Sequence, residues 1–198
     1  DIQKANGFTY YSGWSVWDAY RTRLPLQSLI DRNNYQEFIR SLIELFRSGK
    51  QPWSTLHEST PTVRTEHTMI VLLDALRKDI KGFDPETVYD QMKRVADSLP
   101  LDSPDNYLES AYDLWALSHI ARRLGHDRES QGFMNRSRHL LRSIWKEKFR
   151  DIDPATFDIM HGDGLYEGTL WQYRWAVPYD IQHMAKLVGG QDTLVDQL

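Results

Sequence analysis

The sequence predicts an all-α fold of helical hairpins that form part of a closed helical toroid, and three observations carry that expectation. Apolar residues recur at i, i+3, i+4 and i+7 along much of the chain, no segment shows convincing strand alternation, and the connections alternate between short and long.

Taken in order, a helix is expected over about 16 to 31, bent at Pro25. The next carries the stripe Tyr35, Phe38, Ile39, Leu42, Leu45 and Phe46 and is closed by Gly49. Another is expected over about 66 to 80. Val88, Met92, Val95 and Leu99 follow Asp84-Pro85, where Asp supplies a cap and Pro suits the first turn. Leu108, Ala111, Tyr112, Trp115 and Ile120 mark a helix ending near Gly125, and Phe133, Leu140, Leu141 and Ile144 mark its partner. From Trp171 a further helix is broken by Pro178, and one more is expected after Gly189-Gly190.

The connections Asp31 to Asn34, Lys81 to Asp84 and Gly125 to Asp127 are short, which pairs antiparallel neighbours, whereas 48 to 65 and 147 to 167 are long and polar. With the tight turns at one end, the long loops and the helix starts near 16, 66, 105 and 168 gather at the other. That rim is expected to carry Trp14, Trp17, Asp18, Trp53, His57, Glu58, Glu66, Asp163 and Glu167. Glu66 and Glu167 have a second reading as acids favoured electrostatically at helix starts. A toroid of six hairpins needs about twelve helices against roughly seven or eight here. Residues 1–198 are therefore expected to be a single domain, an incomplete piece of a larger one.

Composition narrows the function classes. With 198 residues, 40% of them hydrophobic, the chain supports one sizeable core. A net charge of -4 with interspersed signs leaves no basic stripe to neutralise phosphates, which argues against nucleic acid as a partner. The absence of cysteine excludes disulfides, thiolate nucleophiles and sulfur-ligated zinc but leaves the compartment open. No apolar run approaches the roughly 20 residues of a membrane span, and Asp1-Ile2-Gln3-Lys4 has no signal-peptide pattern. The chain has 7 Trp and 10 Tyr, several Trp beside Gly, Asp or Gln, a pattern suited to stacking on sugar faces. The alternative is that these rings supply core area with a polar handle.

Two segments carry candidate chemistry. Asp163-Gly164-Leu165-Tyr166-Glu167-Gly168 sets a carboxylate between glycines and aromatic rings, surroundings able to desolvate an acid and let it donate a proton to a leaving oxygen. Trp171, Gln172, Tyr173 and Trp175 follow, able to stack on a sugar and bind its hydroxyls, or simply to pack a helix. In Gly13-Trp14-Ser15-Val16-Trp17-Asp18-Ala19-Tyr20-Arg21, Asp18 and Arg21 lie one helical turn apart, either as a surface ion pair or with Asp18 binding sugar hydroxyls over Trp17. Asp151, Asp153, Asp158 and Asp163 form no EF-hand pattern and read as turn residues. No metalloprotease-type His pair and no Ser-His-Asp set emerges from spacing.

The run Trp14-Ser-Val-Trp-Asp-Ala-Tyr-Arg-Thr-Arg-Leu-Pro-Leu-Gln-Ser-Leu-Ile30 resembles the Phe-Ser-Leu-Trp-Asp-Thr-Tyr-Arg segment of glycoside hydrolase family 92. Gly82-Phe83-Asp84, Ala111-Tyr112-Asp113-Leu114-Trp115, Phe133-Met134-Asn135-Arg136-Ser137, Tyr166-Glu-Gly-Thr-Leu-Trp-Gln-Tyr-Arg-Trp-Ala-Val-Pro-Tyr-Asp180 and Leu187-Val-Gly-Gly190 are similar to that family in the same order, so the match covers essentially the whole chain.

The resemblance implies a calcium-dependent, inverting exo-α-mannosidase, α-1,2-mannosidase-like, with an (α/α)6 catalytic domain acting on mannose-containing glycans, periplasmic or extracellular in a bacterium. Glu167 falls on the general-acid position. Trp17, Asp18, Arg21, Glu58, His67, Trp171, Gln172 and Tyr173 become candidate substrate contacts.

The chain departs from the pattern at Thr169, where the family has Asn, and at Tyr179, where it has His. In the Glu-Thr-x-Cys-Met-x-Gly-x-His-Ala stretch, His67 fits the histidine and Glu58 falls one position from the glutamate. The Asn-Glu-Pro segment and the Asp-Asp-x-Gly-Gly-like segment that supplies the base are expected beyond Leu198, as are the calcium ligands, and the isolated chain is expected to be inactive. Two alternatives stay open: another inverting α-glycosidase of the toroid class, and a non-catalytic sugar-binding helical domain.

Overall fold

In the computed structural model every regular element among the described residues, 5–11, 15–47, 64–152 and 164–198, is helical. These elements form two compact units, Asp1–Ser98 with His119–Asp127, and Leu99–Ser118 with Arg128–Leu198.

The first unit opens with α1 (Val16–Ala19), whose start is capped by the Ser15 hydroxyl accepting from the Asp18 amide at 3.4 Å. A turn separates it from α2 (Arg23–Ile30), so the expected single helix bent at Pro25 is two helices. Pro25 lies in the first turn of α2, where its missing N–H removes no helical hydrogen bond, and the break falls before it. The expected Asp31–Asn34 connection shortens to Asp31 alone, because Asp31 Oδ1 accepts from the Asn34 amide at 3.2 Å and starts α3 (Arg32–Arg47) at once.

On α3 the stripe Tyr35, Phe38, Ile39, Leu42 and Phe46 is buried, and the helix packs against α2, α4 (Thr68–Arg77) and α5 (Glu86–Asp97). Burying such a row is worth about 1.5–3 kcal/mol per large apolar side chain. Gly49 lies outside the described residues. A 3-10 turn over Thr65–His67 precedes α4, so the segment expected as one helix changes pitch near its start. Met69 to Leu73 are all buried, as befits a central helix apolar nearly all round. Asp84 Oδ1 accepts from the Glu86 amide at 3.0 Å at the start of α5, the cap read from Asp84-Pro85.

The two longest helices are α6 (Pro104–Arg123) and α7 (Asp127–Ile144). Gly125, with φ +86°, closes α6, and the His126 amide donates back to the Ala121 carbonyl at 2.9 Å. In the second unit the Ser137 hydroxyl donates to the Ala111 carbonyl at 2.6 Å and the Ser118 hydroxyl to the Ser130 carbonyl at 2.9 Å, pinning the two helices closely. A single π-helical turn, Trp145–Phe149, extends α7 and buries Trp145 and Phe149. Then follow α8 (Leu170–Arg174), α9 (Ile181–Val188) and α10 (Gln191–Gln197). Leu108, Leu141, Ile144, Phe149, Leu165, Val177 and Met184 form the core against which these short helices lie.

Candidate functional site

The segment from Gly164 to Tyr173 is a compact turn running into α8. Gly164 has φ +75°, and a Cβ there would lie 2.7 Å from Pro104 Cδ, so the backbone passes the start of α6 where only glycine fits. Leu165 is buried and anchors the chain, while Tyr166 and Glu167 are exposed.

Glu167 has φ +52°. For an L-residue that backbone costs roughly 1–2 kcal/mol, so neighbouring contacts must hold it. Thr169 then caps α8 through a capping box: its hydroxyl accepts from the Gln172 amide at 3.3 Å, and Gln172 Oε1 accepts from the Thr169 amide at 2.9 Å. The Tyr173 hydroxyl donates to the Tyr166 carbonyl at 2.5 Å, and its ring packs on Gly168, where a Cβ would lie 2.5 Å from Tyr173 Cε2.

These contacts locate the second unit's predicted site residues. Glu167 projects from the turn and is exposed, so the enclosure expected from its sequence neighbours is not supplied by the described residues of this unit. Trp171 is half-buried on α8, edge-on to Trp175 with ring centroids 5.5 Å apart and planes at 85°. Gln172 is exposed, with its side-chain oxygen committed to the cap. Tyr173, expected to meet sugar, is 8% exposed, and its hydroxyl and ring are occupied by the turn.

Sequence reasoning overlooked Arg174. It is 5% exposed, and its guanidinium carbon lies 4.7 Å from the Trp145 ring, 5.6 Å from that of Trp171 and 5.4 Å from that of Trp175. It donates to the Phe149 carbonyl, to the Arg150 carbonyl at 3.2 Å and to Gln197 Oε1 at 2.8 Å. The arrangement fixes Trp171 and Trp175 by cation–π attraction and holds the end of the π-turn to α8. Burial lowers the pKa of Arg174, with Asp151 acting in the opposite sense. The spacing Trp171-x-x-Arg174-Trp175 was the available signal, since residues at i, i+3 and i+4 share one helix face.

A second aromatic group occupies the same unit. Tyr179, at one of the departures from the family pattern, stacks on Tyr112 with centroids 4.0 Å apart and lies 5.3 Å from the Trp115 ring. Three acids of α6, Asp105, Glu109 and Asp113, are buried on one stripe of that helix, another feature the sequence reading missed.

In the first unit, Arg21 Nε donates to the Tyr20 hydroxyl at 2.8 Å, and its guanidinium carbon lies 4.8 Å from the Tyr20 ring and 5.4 Å from that of Trp17. Asp18 is exposed and Trp17 half-buried. His67 is fully buried, its ring 4.7 Å from that of Tyr20. The structure thus brings His67, Tyr20, Arg21 and Trp17 into one chain of ring contacts. Glu66 pairs with Arg64 at 3.7 Å. Trp14, Trp53, His57, Glu58, Asp153, Asp158 and Asp163 lie outside the described residues.

Among the described residues no group of three or more His, Asp or Glu side chains could hold a metal ion. The described residues therefore do not fit a calcium site. Among them, too, no helix is long and apolar enough to cross a membrane.

Comparison with known proteins agrees with this architecture. The sequence profile of the glycosyl hydrolase family 92 catalytic domain matches residues 1–107 and 102–198. Among solved structures, the GH92 family glycosyl hydrolase ccman5 is 26% identical, with a TM-score of 0.74 over 97% of this chain and 29% of its own. A family GH92 alpha-mannosidase from Bacteroides thetaiotaomicron, solved in complex with mannoimidazole, is 25% identical, with a TM-score of 0.74 over 100% of this chain and 31% of its own. A family GH92 inverting mannosidase from Bacteroides thetaiotaomicron VPI-5482 is 18% identical, with a TM-score of 0.76 over 95% of this chain and 30% of its own, a likeness of fold alone. No curated protein sequence matches. The chain spans between 29% and 31% of the length of these solved proteins, and its hairpins are of the (α/α)6 toroid class.

Proposed function

The chain belongs to glycosyl hydrolase family 92, and on that premise we propose that it is part of a catalytic domain that removes terminal α-linked mannose with inversion, Glu167 acting as general acid. The observation that carries the reading is the turn at Glu167. An acid is presented to solvent from a left-handed backbone, two residues before the Thr169 cap of α8 and four before the half-buried Trp171. Inversion needs a protonated carboxyl at the leaving oxygen and a second carboxylate, about 6.5–9.5 Å away, to activate water on the opposite face. Glu167 takes the first role, and the base comes from outside this chain.

Each unit contributes sugar contacts of its own: Trp171 and Gln172 in the second, Trp17, Asp18 and Arg21 in the first, with Glu58 ahead of the 3-10 turn, whereas His67 is buried in that turn against Tyr20 and is no contact. An aromatic face with adjacent amide, carboxylate and guanidinium groups suits a pyranose and its hydroxyls. Mannose is favoured because a solved relative of this family is an alpha-mannosidase bound to mannoimidazole. Inversion is what the family resemblance implies. Calcium, expected from the family, would be held by residues other than those described. Periplasmic or extracellular placement in a bacterium belongs to the same reading.

A second reading, another inverting α-glycosidase, draws on the two departures. The Thr169 hydroxyl is engaged in the capping box and the Tyr179 ring in its stack on Tyr112, so a sugar or metal contact made at these two positions by Asn and His would differ here. Assay of the parent protein on aryl α-mannoside, α-glucoside and α-galactoside, with NMR detection of the first anomer released, separates the readings. Preferential α-mannoside cleavage to the β-anomer is expected. Preference for another sugar removes the mannosidase assignment, and tight mannoside binding with no turnover points to a sugar-binding domain.

A further inference from the structure

We infer that Tyr173 is a positioning residue that sets the orientation of Glu167 rather than a substrate contact, an inference that rests on the reading of Glu167 as the acid. The geometry is specific. Tyr173 grips the chain on both sides of Glu167 with one side chain: its hydroxyl takes the carbonyl of Tyr166, the residue before, at 2.5 Å, and its ring lies on Gly168, the residue after. A Cβ at position 168 would stand 2.5 Å from Tyr173 Cε2 and 2.9 Å from Cδ2, so the glycine is what allows the ring this close.

Tyr173 is itself fixed. It is 8% exposed within the core of the second unit, and its amide donates to the Thr169 carbonyl at 3.0 Å in the first turn of α8. The ring therefore transmits the rigidity of a capped helix to a turn whose central residue sits in the left-handed region at φ +52°. A carboxyl that donates a proton in the transition state must meet the leaving oxygen within a few tenths of an ångström, and residues that lock its backbone serve that end without touching substrate.

A contact that acts only through the acid has a kinetic signature. It affects substrates whose leaving group needs protonation and spares those whose leaving group departs unaided. The test compares α-mannobiose, whose leaving group is a sugar alkoxide, with 2,4-dinitrophenyl α-mannoside, whose phenolate needs no proton, in the complete parent enzyme. Tyr173→Phe removes the strap to Tyr166 and keeps the ring. It is expected to lower kcat on α-mannobiose by roughly 10- to 100-fold with KM within about twofold, and to leave dinitrophenyl mannoside turnover unchanged. Gly168→Ala, which pushes the ring off the turn, is expected to show the same leaving-group dependence, and it serves if Tyr173→Phe does not fold.

Equal losses on both substrates would assign Tyr173 a general structural role and overturn the inference, as would unchanged turnover of both. A rise in KM alone would make it a substrate contact and overturn it too. Glu167→Gln, run alongside, separates the two claims. Loss on α-mannobiose alone supports the acid, whereas native turnover of α-mannobiose removes the acid assignment whatever Tyr173→Phe does.

Discussion

Arg138 and Asp180 tie α7 to the start of α9: Nε and Nη2 of Arg138 donate to one Asp180 oxygen at 3.2 and 3.0 Å, while the other oxygen accepts from the His183 amide at 3.2 Å. One carboxylate thus caps a helix and closes an ion pair. Asp180 is nearly buried, at 10% side-chain exposure, whereas Arg138 is at 42%.

Because an ion pair with a half-exposed arginine contributes little and a helix cap contributes about 0.5–2 kcal/mol, the cap should dominate. Asp180→Ala is expected to destabilise the protein by about 1–2 kcal/mol and Asp180→Asn by well under 1 kcal/mol, since Asn caps nearly as well. Urea unfolding of the two variants checks the order.

His183 gives a pH dependence. Burial lowers its pKa, with Arg138, Arg142 and Lys186 acting in the same sense and Asp180 opposing them. A histidine whose folded pKa lies below its unfolded value binds its proton better when unfolded. Its effect is absent above the ordinary value of 6.5, and stability is lost as pH falls below that value. The loss is at most about 1.4 kcal/mol per pH unit for one group. Stability measured from pH 7.5 to 5.5 should decline less steeply in His183→Gln than in the native protein. An identical slope in both would mean that other groups set the acid limit.

Arg174 is the buried cation that holds two tryptophans in place. Replacing it with Lys keeps the charge but loses the planar fork that reaches the Phe149 and Arg150 carbonyls and Gln197 together. Arg174→Lys is expected to cost about 2 kcal/mol and to shift the tryptophan emission as Trp171 and Trp175 lose their fixed setting. Fluorescence-detected denaturation measures both.

The fold was legible where burial follows helical period. The stripe from Tyr35 to Phe46 on α3 and the glycine end of α6 needed only local chemistry, spacing in one case and a left-handed closing residue in the other. Local chemistry failed where tertiary contacts decide. Asp105, Glu109 and Asp113 recur at helical spacing and resemble a solvated face, yet they are buried. Pro25 resembles a kink until one knows that the helix begins just before it.

At the site, the segment around Glu167 could be singled out because an acid among glycines and aromatic rings is unusual. The left-handed backbone at Glu167 could not be read, since glycine is the residue that normally signals it and Glu does not. Nor could the role of Tyr173 be read, because a tyrosine that stacks on sugar and a tyrosine that straps a turn have the same sequence neighbours.

The general-acid assignment is tested most directly by the turnover of α-mannobiose by the complete parent protein carrying Glu167→Gln. A positioned general acid contributes about 10²–10⁴-fold. In that variant kcat is expected to fall by that factor while binding of the disaccharide is kept, and turnover near the native rate would remove Glu167 as the general acid.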